Sequence, residues 1–461
     1  MKFKTISPID NSVYVERDYA NKAEIESTLE KARLAQQKWA KTSITERTRL
    51  CLKIVEKLLE KKEDIAKEIC WQMGRPIKYC EGEIKGFAER AIYMISIATD
   101  KLSPIDCNDQ AGFNRYIERE PVGIVFSIAP WNFPYLTAVN SIIPAIMSGN
   151  AVIMKPSSQT PLSAERIFEA TLSAGLPEGV FSYLYLSHDA TEALVGNAEI
   201  DFVCFTGSVS GGHKIVEAAN KRFIGLGLEL GGKDPAYVRE DADLDYSVET
   251  LVDGAFFNSG QSCCGIERVY VHESIYQTFV DKYSALVSQY KLGRSDKDDT
   301  TLGPMVNTKA ADLVRQQTAE AIAKGALPLI DNTLFDADAD GTPYLAPQVL
   351  VNVDHTMSVM RDESFGPVVG IMKVSSDEEA IQLMNDSEFG LTASVWTKDE
   401  TAAIEIGKQV QTGTWFMNRC DYLDPALAWA GVKNSGHGCT LSEIGYEQLT
   451  RPKSFHLKSL S

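Results

Sequence analysis

VGIVFSIA (122–129), AVIMK (151–155), VFSYLYL (180–186), IDFVCFTG (200–207) and RFIGLGLELGG (222–232) are short apolar runs separated by stretches with helical periodicity. Runs that are apolar at consecutive positions predict strands buried on both faces. Strands spaced by helices predict βαβ units and a parallel sheet covered on both sides. The expected class is therefore α/β. Sheets of this kind bind ligands at the carboxyl ends of their strands, so the polar residues that close each run carry the functional information.

Working outward, a second alternating region begins near Asp234 and passes through VYVHES, LVNV, VVGIMKV and TASVWT to about Met417. Upstream, Ile25, Leu29, Ala32 and Trp39 recur at helical spacing behind Asn21 and Glu24, which read as a capping box. Ser43 with Glu46 repeats that signal ahead of Leu50, Ile54, Leu58, Ile65 and Ile69. Residues 1–105 thus read as mainly helical, interrupted at Gly74-Arg75-Pro76, with Trp39 and the stripes in the core. Residues 103–121 and the tail from about Tyr446 read as strands outside both sheets, an arm of the kind that pairs with another subunit.

A chain of 461 residues, 44% of them apolar, is too long for one typical domain and too apolar for disorder or a low-complexity scaffold. Its formal charge of −17 is spread along the chain, which repels phosphate backbones and anionic lipid alike and speaks against nucleic-acid or membrane-surface partners. The nine cysteines form no CxxC pair and no His-rich spacing, so no zinc site is expected and a reducing compartment is. MKFKTISPID lacks an apolar signal core and no long uninterrupted apolar stretch follows, which together predict a cytoplasmic protein.

FFNSGQSCCG (256–265) places two adjacent cysteines after Gly260 and Gln261. A thiol of ordinary pKa near 8.5 is only about 3% ionised at pH 7, so a nucleophile needs help, and for any single cysteine a buried structural thiol is the readier explanation. APWNFP (129–134) puts Asn132 between two aromatics where the first parallel strand ends, a position from which its amide can donate to a developing oxyanion. LELGGK (228–233) sets Glu229 between Leu228 and Leu230; burial there raises its pKa toward that of a general base, while a capping or salt-bridged role remains open.

Taken in order, APWNFP, KPS at 155, FTGS at 205, ELGGK at 229, GQxC at 260 and ESFGP at 363 resemble the aldehyde dehydrogenase superfamily, over nearly the whole chain. The resemblance extends to its succinate-semialdehyde and aromatic-aldehyde branch. It implies a Rossmann-like cofactor domain (1–102 and 122–230), an α/β catalytic domain (231–445) and a small β oligomerisation arm (103–121 and 446–461), assembled as a homodimer or homotetramer. By the same resemblance Cys263 is the nucleophile, Cys264 its structural neighbour, Asn132 the oxyanion donor together with the nucleophile's backbone N–H, and Glu229 the base. The implied reaction is oxidation of a small-molecule aldehyde to a carboxylic acid through a cysteine thiohemiacetal and thioester, with NADP or NAD as cofactor. Its cofactor cleft takes in Ile128, Trp131, Lys155, Ser157, Ser158, Gly207, Ser208, Glu363 and Phe365. Of these, the resemblance implies that Lys155 faces the adenosine ribose, that Ser208 opens a helix toward phosphate, and that Glu363 and Phe365 hold the nicotinamide ribose and ring.

Two alternatives stand beside this reading. Transfer of the acyl group to coenzyme A would not require Glu229, and a non-catalytic family member would not need Cys263, Glu229 and Asn132 together. In the substrate tunnel the resemblance places Phe133, Asn140, Ser262, Leu423 and Trp429, with Asn140 where relatives carry Trp or a carboxylate-binding Arg. Ser141 and Thr440 stand where many relatives carry a proton-relay pair. An aromatic-walled tunnel without an evident cation suits uncharged aliphatic or aromatic aldehydes, while Arg419 could supply a charge, which keeps semialdehydes open.

NAD-preferring relatives usually carry Glu three residues after the lysine, where this chain has Ser158. A carboxylate there would repel a 2′-phosphate. We expect both nucleotides to serve, with NADP favoured or tolerated. Comparison of kcat/KM for the two checks this, and near-absence of activity with NADP would contradict it.

Overall fold

The computed structural model describes residues 2–459; Met1, Leu460 and Ser461, the last two belonging to the expected arm 446–461, lie outside the described residues. The five apolar runs form parallel strands lying side by side in the order Gly225–Glu229, Phe202–Thr206, Ile124–Ile128, Ala151–Lys155 and Phe181–Tyr183. The chain lays down Ile124–Ile128 first, adds two strands on one side, then crosses back to build on the other. The order therefore reverses between Ile128 and its neighbour Phe205, and this topological switch point opens a crevice at the carboxyl ends.

The second sheet runs Leu327–Pro328, Gln348–Val351, Val368–Val374, Ile266–His272, Asp234–Val238, Thr392–Trp396 and Thr414–Met417, parallel except for the short first strand. No helix among the described residues is long and apolar enough to cross a membrane.

The helices Lys22–Trp39, Ile44–Leu59, Lys62–Met73 and Ile77–Lys101 occupy most of the first hundred residues. The expectation of a mainly helical start fails at the beginning, where Lys2–Ile6 and Val13–Asp18 pair as an antiparallel hairpin. Their alternation is too short and too polar to register as a strand pattern. Asn21 and Glu24 form a complete capping box. Ser43 accepts from Glu46 N, but the Glu46 carboxylate pairs with Arg49 instead of returning to the cap, so the second box is half made. Gly74 ends the third helix at φ +87°, and a Cβ there would stand 2.9 Å from Pro8 Cγ.

Beyond Met417 the chain does not stay with the second sheet. Gly436–His437 adds antiparallel to Gly225–Glu229, and Ser442–Gln448 packs on the long helix Ile77–Lys101, where Tyr446 donates to Met94 O at 2.6 Å. A catalytic segment continuing to 445 therefore does not follow the sheets: residues 436–445 rejoin the first body, because Leu441 and Tyr446 complete its helical core.

The arm forms its own antiparallel sheet. Thr450–Lys458 pairs along its length with Phe113–Pro121, which also pairs with Ile105–Asp106. Tyr116 and Phe455 stack with ring centroids 4.7 Å apart, while Ile105 and Leu457 are exposed. A sheet this thin, with an open nine-residue edge strand, lacks the burial to stand by itself. Light scattering should return at least twice the mass of one chain, and a monomer would contradict the pairing role of the arm.

Candidate active site

Cys263 sits just after a turn that the backbone adopts only under constraint. The helix Leu244–Phe256 stops at Phe257, and Asn258, Ser259 and Gly260 then take φ of 54°, 58° and 72°. Left-handed non-glycine residues cost about 1–3 kcal/mol each, so the turn must be held from outside. Asn258 Nδ2 donates to Gln261 O (3.1 Å), Gln261 Nε2 returns to Asn258 O (3.0 Å), Val306 N donates to Gln261 Oε1 (2.7 Å), and Ser259 Oγ reaches Gly303 O (2.9 Å). A side chain at Gly260 would place its Cβ 2.3 Å from Gly366 O.

The two thiols that leave this turn meet different surroundings. Cys263 is partly accessible and Cys264 is buried. Cys264 Sγ donates to Asp421 Oδ1 (3.0 Å), which also accepts from Ser262 Oγ (2.9 Å). The adjacent Cys263 thiol, burial and the Asp421 carboxylate together push the Cys264 thiol well above its ordinary value. Cys264 is thereby kept protonated, in agreement with a structural role.

Asn132 is buried against the same turn: its Nδ2 donates one N–H to Gln261 O at 3.2 Å, two residues before Cys263, and has a second to give. Its backbone carbonyl accepts from Arg75 Nη2 and Asn258 Nδ2. Arg75 is buried, pairs with the buried Glu83, donates to Asn258 Oδ1 (3.0 Å) and lies 4.5 Å over the Phe133 ring. Glu83 Oε1 accepts from Tyr135 N (2.9 Å) and Leu136 N (3.1 Å) at the start of the helix Pro134–Met147. Sequence reasoning missed Arg75, Glu83 and Asn258; Arg75 registered only as part of a helix break.

Glu229 ends the edge parallel strand, with Leu228 and Leu230 buried beside it. Burial raises its carboxyl to about 7, against a downward pull from the Thr440 hydroxyl, which donates to Oε1, and from Arg90. Thr440, at the position of a missing relay partner, is thus the group that holds this carboxyl.

A cavity of about 370 Å³ brings Cys263 and Glu229 together with Phe133, Asn140, Ser262, Leu423 and Trp429, every expected tunnel residue. Asn132 adjoins it through the bond to Gln261 O, the residue before Ser262 of its lining. The expectation of a tunnel without a cation is overturned: two cations of the long helix line this cavity, the exposed Lys85, which pairs with Glu81 at 3.5 Å, and the buried Arg90. Arg419 does not supply the charge. It stacks 3.5 Å over Tyr422 and faces a separate groove with Thr250 and Cys420. The signal for Arg90 was available in the sequence, since it interrupts the apolar stripe of Ile84, Phe87, Ala91 and Met94.

The expected cofactor residues gather around the switch point. Ile128 ends the first strand; Trp131 follows, its ring edge to face with Phe365 at 5.6 Å. Lys155 ends the next strand, half-buried and without a carboxylate partner among the described residues, and burial lowers its ammonium. Ser157 Oγ accepts from Gln159 N (3.2 Å), and the exposed Ser158 gives its carbonyl to Thr5 Oγ1 (2.7 Å). Gly207 N donates to Glu229 O (3.0 Å), and Ser208 caps the helix Val209–Ala219 by accepting from Gly211 N (3.2 Å), which presents a helix N-terminus suited to phosphate.

From the second body, Glu363 Oε1 accepts from Gly232 N (3.0 Å), and burial, then Glu267, raises its carboxyl to about 7. Glu267 itself accepts from Ser364 N and Phe365 N, both at 2.8 Å, and pairs with the buried Lys233. Phe365 is held at φ +49°. An unpaired ammonium at one strand end, a capped helix N-terminus after another and a buried acceptor carboxylate fit, as donor and acceptor types, the hydroxyls, phosphates and ribose of a dinucleotide.

The aldehyde dehydrogenase family model matches residues 1–455. The chain is 32% identical over 434 residues to the lactaldehyde dehydrogenase of Escherichia coli K12, covering 94% of this chain and 90% of that protein. It is also 32% identical over 437 residues to the succinate semialdehyde dehydrogenase (NAD(P)+) Sad of Escherichia coli K12, covering 93% and 92%. The crystal structure of succinic semialdehyde dehydrogenase from Streptococcus pyogenes in complex with NADP+ superposes with a TM-score of 0.94 at 28% identity, covering 99% of this chain and 100% of that one.

A carboxyl raised from 4.5 to about 7 costs stability only where it must ionise in the fold. The penalty is absent below the unfolded pKa, grows between the two values and is complete above about 7. Glu229→Gln should therefore stabilise the protein by up to about 3 kcal/mol at pH 8 and leave it unchanged at pH 4, measured by denaturant unfolding.

Proposed function

The chain belongs to the aldehyde dehydrogenase family and is an NAD(P)-dependent aldehyde oxidoreductase; from that premise we propose that Cys263, Glu229 and Asn132 carry the reaction. The observation that supports this most is the single cavity shared by Cys263 and a Glu229 raised to about 7, with Asn132 bonded to the turn between them.

In this reading the Cys263 thiolate attacks the aldehyde carbon, forming a C–S bond. The free N–H of Asn132 and the Cys263 backbone N–H donate to the resulting oxyanion, interactions that strengthen as charge develops. A dinucleotide, NADP or NAD, bound in the crevice would supply the hydride acceptor that this oxidation requires. Lys155, Ser208, Glu363 and Phe365 would hold it, with Ile128, Trp131, Ser157, Ser158 and Gly207 shaping the crevice. Glu229 then takes a proton from the water that attacks the thioester, Cys263 leaves as thiolate, and the product is a carboxylate. A base poised near neutrality beside the thiol supports hydrolysis rather than transfer to coenzyme A.

We assign the body built on the first sheet to cofactor binding and that on the second to catalysis. Residues 103–121 with the terminal strand form the oligomerisation arm.

An aldehyde panel followed at 340 nm with NAD and with NADP tests the reading. Cys263→Ala should lower turnover by more than about 10⁴-fold, and wild-type turnover should rise with pH through about 7 as Glu229 loses its proton. Glu229→Gln should lose that limb along with about 10²–10⁴-fold in rate. Undiminished turnover in Cys263→Ala would refute the assignment.

A further inference from the structure

Arg90 is 9% exposed, and its surroundings leave half of its guanidinium unused. Nη1 donates to Leu136 O (2.6 Å) and Asn140 Oδ1 (3.3 Å), while Nε and Nη2 make no hydrogen bond to the described residues. No carboxylate among the described residues forms an ion pair with it. Glu229 and Asp421 feel its charge from a distance, but Glu229 is bonded to Thr440, and Asp421 is tied to Ser262 and Cys264. Glu83 is taken by Arg75 and two backbone amides, and Glu89, which also lines the cavity, accepts from the Tyr422 hydroxyl at 2.9 Å and forms no ion pair with Arg90.

A buried cation without a counter-ion is costly, and this one borders the cavity that holds Cys263. Asn140 adds a second observation. Arg90 holds its amide by the oxygen, and its buried Nδ2 has no hydrogen-bond partner. A cation with donors to spare and an orphaned amide thus stand side by side beside the thiol.

We infer that the substrate is an aldehyde bearing a carboxylate, and that Arg90, assisted by Asn140, binds that group. The inference rests on the aldehyde-oxidising reading above and adds the substrate class and the specificity residue. A carboxylate accepts two parallel N–H bonds from a guanidinium fork, which matches Nε and Nη2 in number and planarity. It also supplies the missing counter-ion, so binding and charge compensation occur in one event. The long helix contributes this cation, and Asn140, on the helix Pro134–Met147, leaves it room and orients it.

The test compares succinic semialdehyde with its methyl ester, which keeps the aldehyde and chain length but removes the charge. Wild type with NADP should favour the acid in kcat/KM. Arg90→Met should lower the acid-to-ester ratio by about 10- to 100-fold, and Arg90→Lys, which keeps the charge but loses the fork, by less. Succinate, which cannot react, should compete with the acid in wild type and weaken as an inhibitor in Arg90→Met by a similar factor. An unchanged ratio in Arg90→Met, equal losses on both substrates, or a wild type that prefers the ester would each overturn the role of Arg90. A wild type that oxidises other aldehydes but neither of these two would overturn it as well. Absence of turnover on every aldehyde would instead overturn the enzymatic reading beneath it.

Discussion

The buried pair of Arg75 and Glu83 is the interaction on which the site depends. Arg75 reaches the Asn132 carbonyl, the Asn258 side chain and the Phe133 ring, and Glu83 takes the first amides of the helix Pro134–Met147. One ion pair therefore joins the loop that carries Asn132, the turn that presents Cys263 and the helix that carries Asn140. Neither charge has water to fall back on, and removing one partner from a buried pair typically costs about 3–5 kcal/mol. Relaxing the strained turn at Asn258 and Ser259 would take from the Arg75 guanidinium its buried bond to Asn258 Oδ1, a charge-assisted contact that opposes the strain.

Around this node the protein assigns different tasks to chemically identical groups through their surroundings. Cys263 opens on the cavity while Cys264, one residue on, is locked to Asp421. Glu229 and Glu363 are both raised to about 7 by burial, yet one lines the cavity that holds Cys263 and the other is anchored on Gly232 N. Glu267, by contrast, is spent on structure, fastening Lys233 to the Ser364–Phe365 backbone. Sequence neighbours cannot reveal such divisions, since each is set by groups that arrive from other parts of the chain.

Arg90 and Arg419 make the same point in reverse. Both are basic residues in the right general neighbourhood, and only packing distinguishes them: Arg419 lies flat on Tyr422 and faces another groove, whereas Arg90 turns into the cavity. An Arg placed within an apolar helical stripe is a legible anomaly, but the stripe does not say what the charge will meet. The N-terminal hairpin escaped notice for a different reason, because its burial comes partly from the distant Tyr185, packed 5.3 Å from Phe3, and not from its own alternation.

The amino-acid order alone determined the parallel sheet, the helical spacers and the separate arm, since periodicity and strand-end polarity are local properties, and it singled out Cys263, Asn132 and Glu229 through the resemblance carried by its ordered motifs. Only the tertiary structure decided which thiol stays protonated, where residues 436–449 pack, and that the buried Arg90 shares the cavity with the nucleophile. Those outcomes depend on burial and on contacts between residues tens to hundreds of positions apart, and desolvation is a property of the assembled fold that no local pattern encodes.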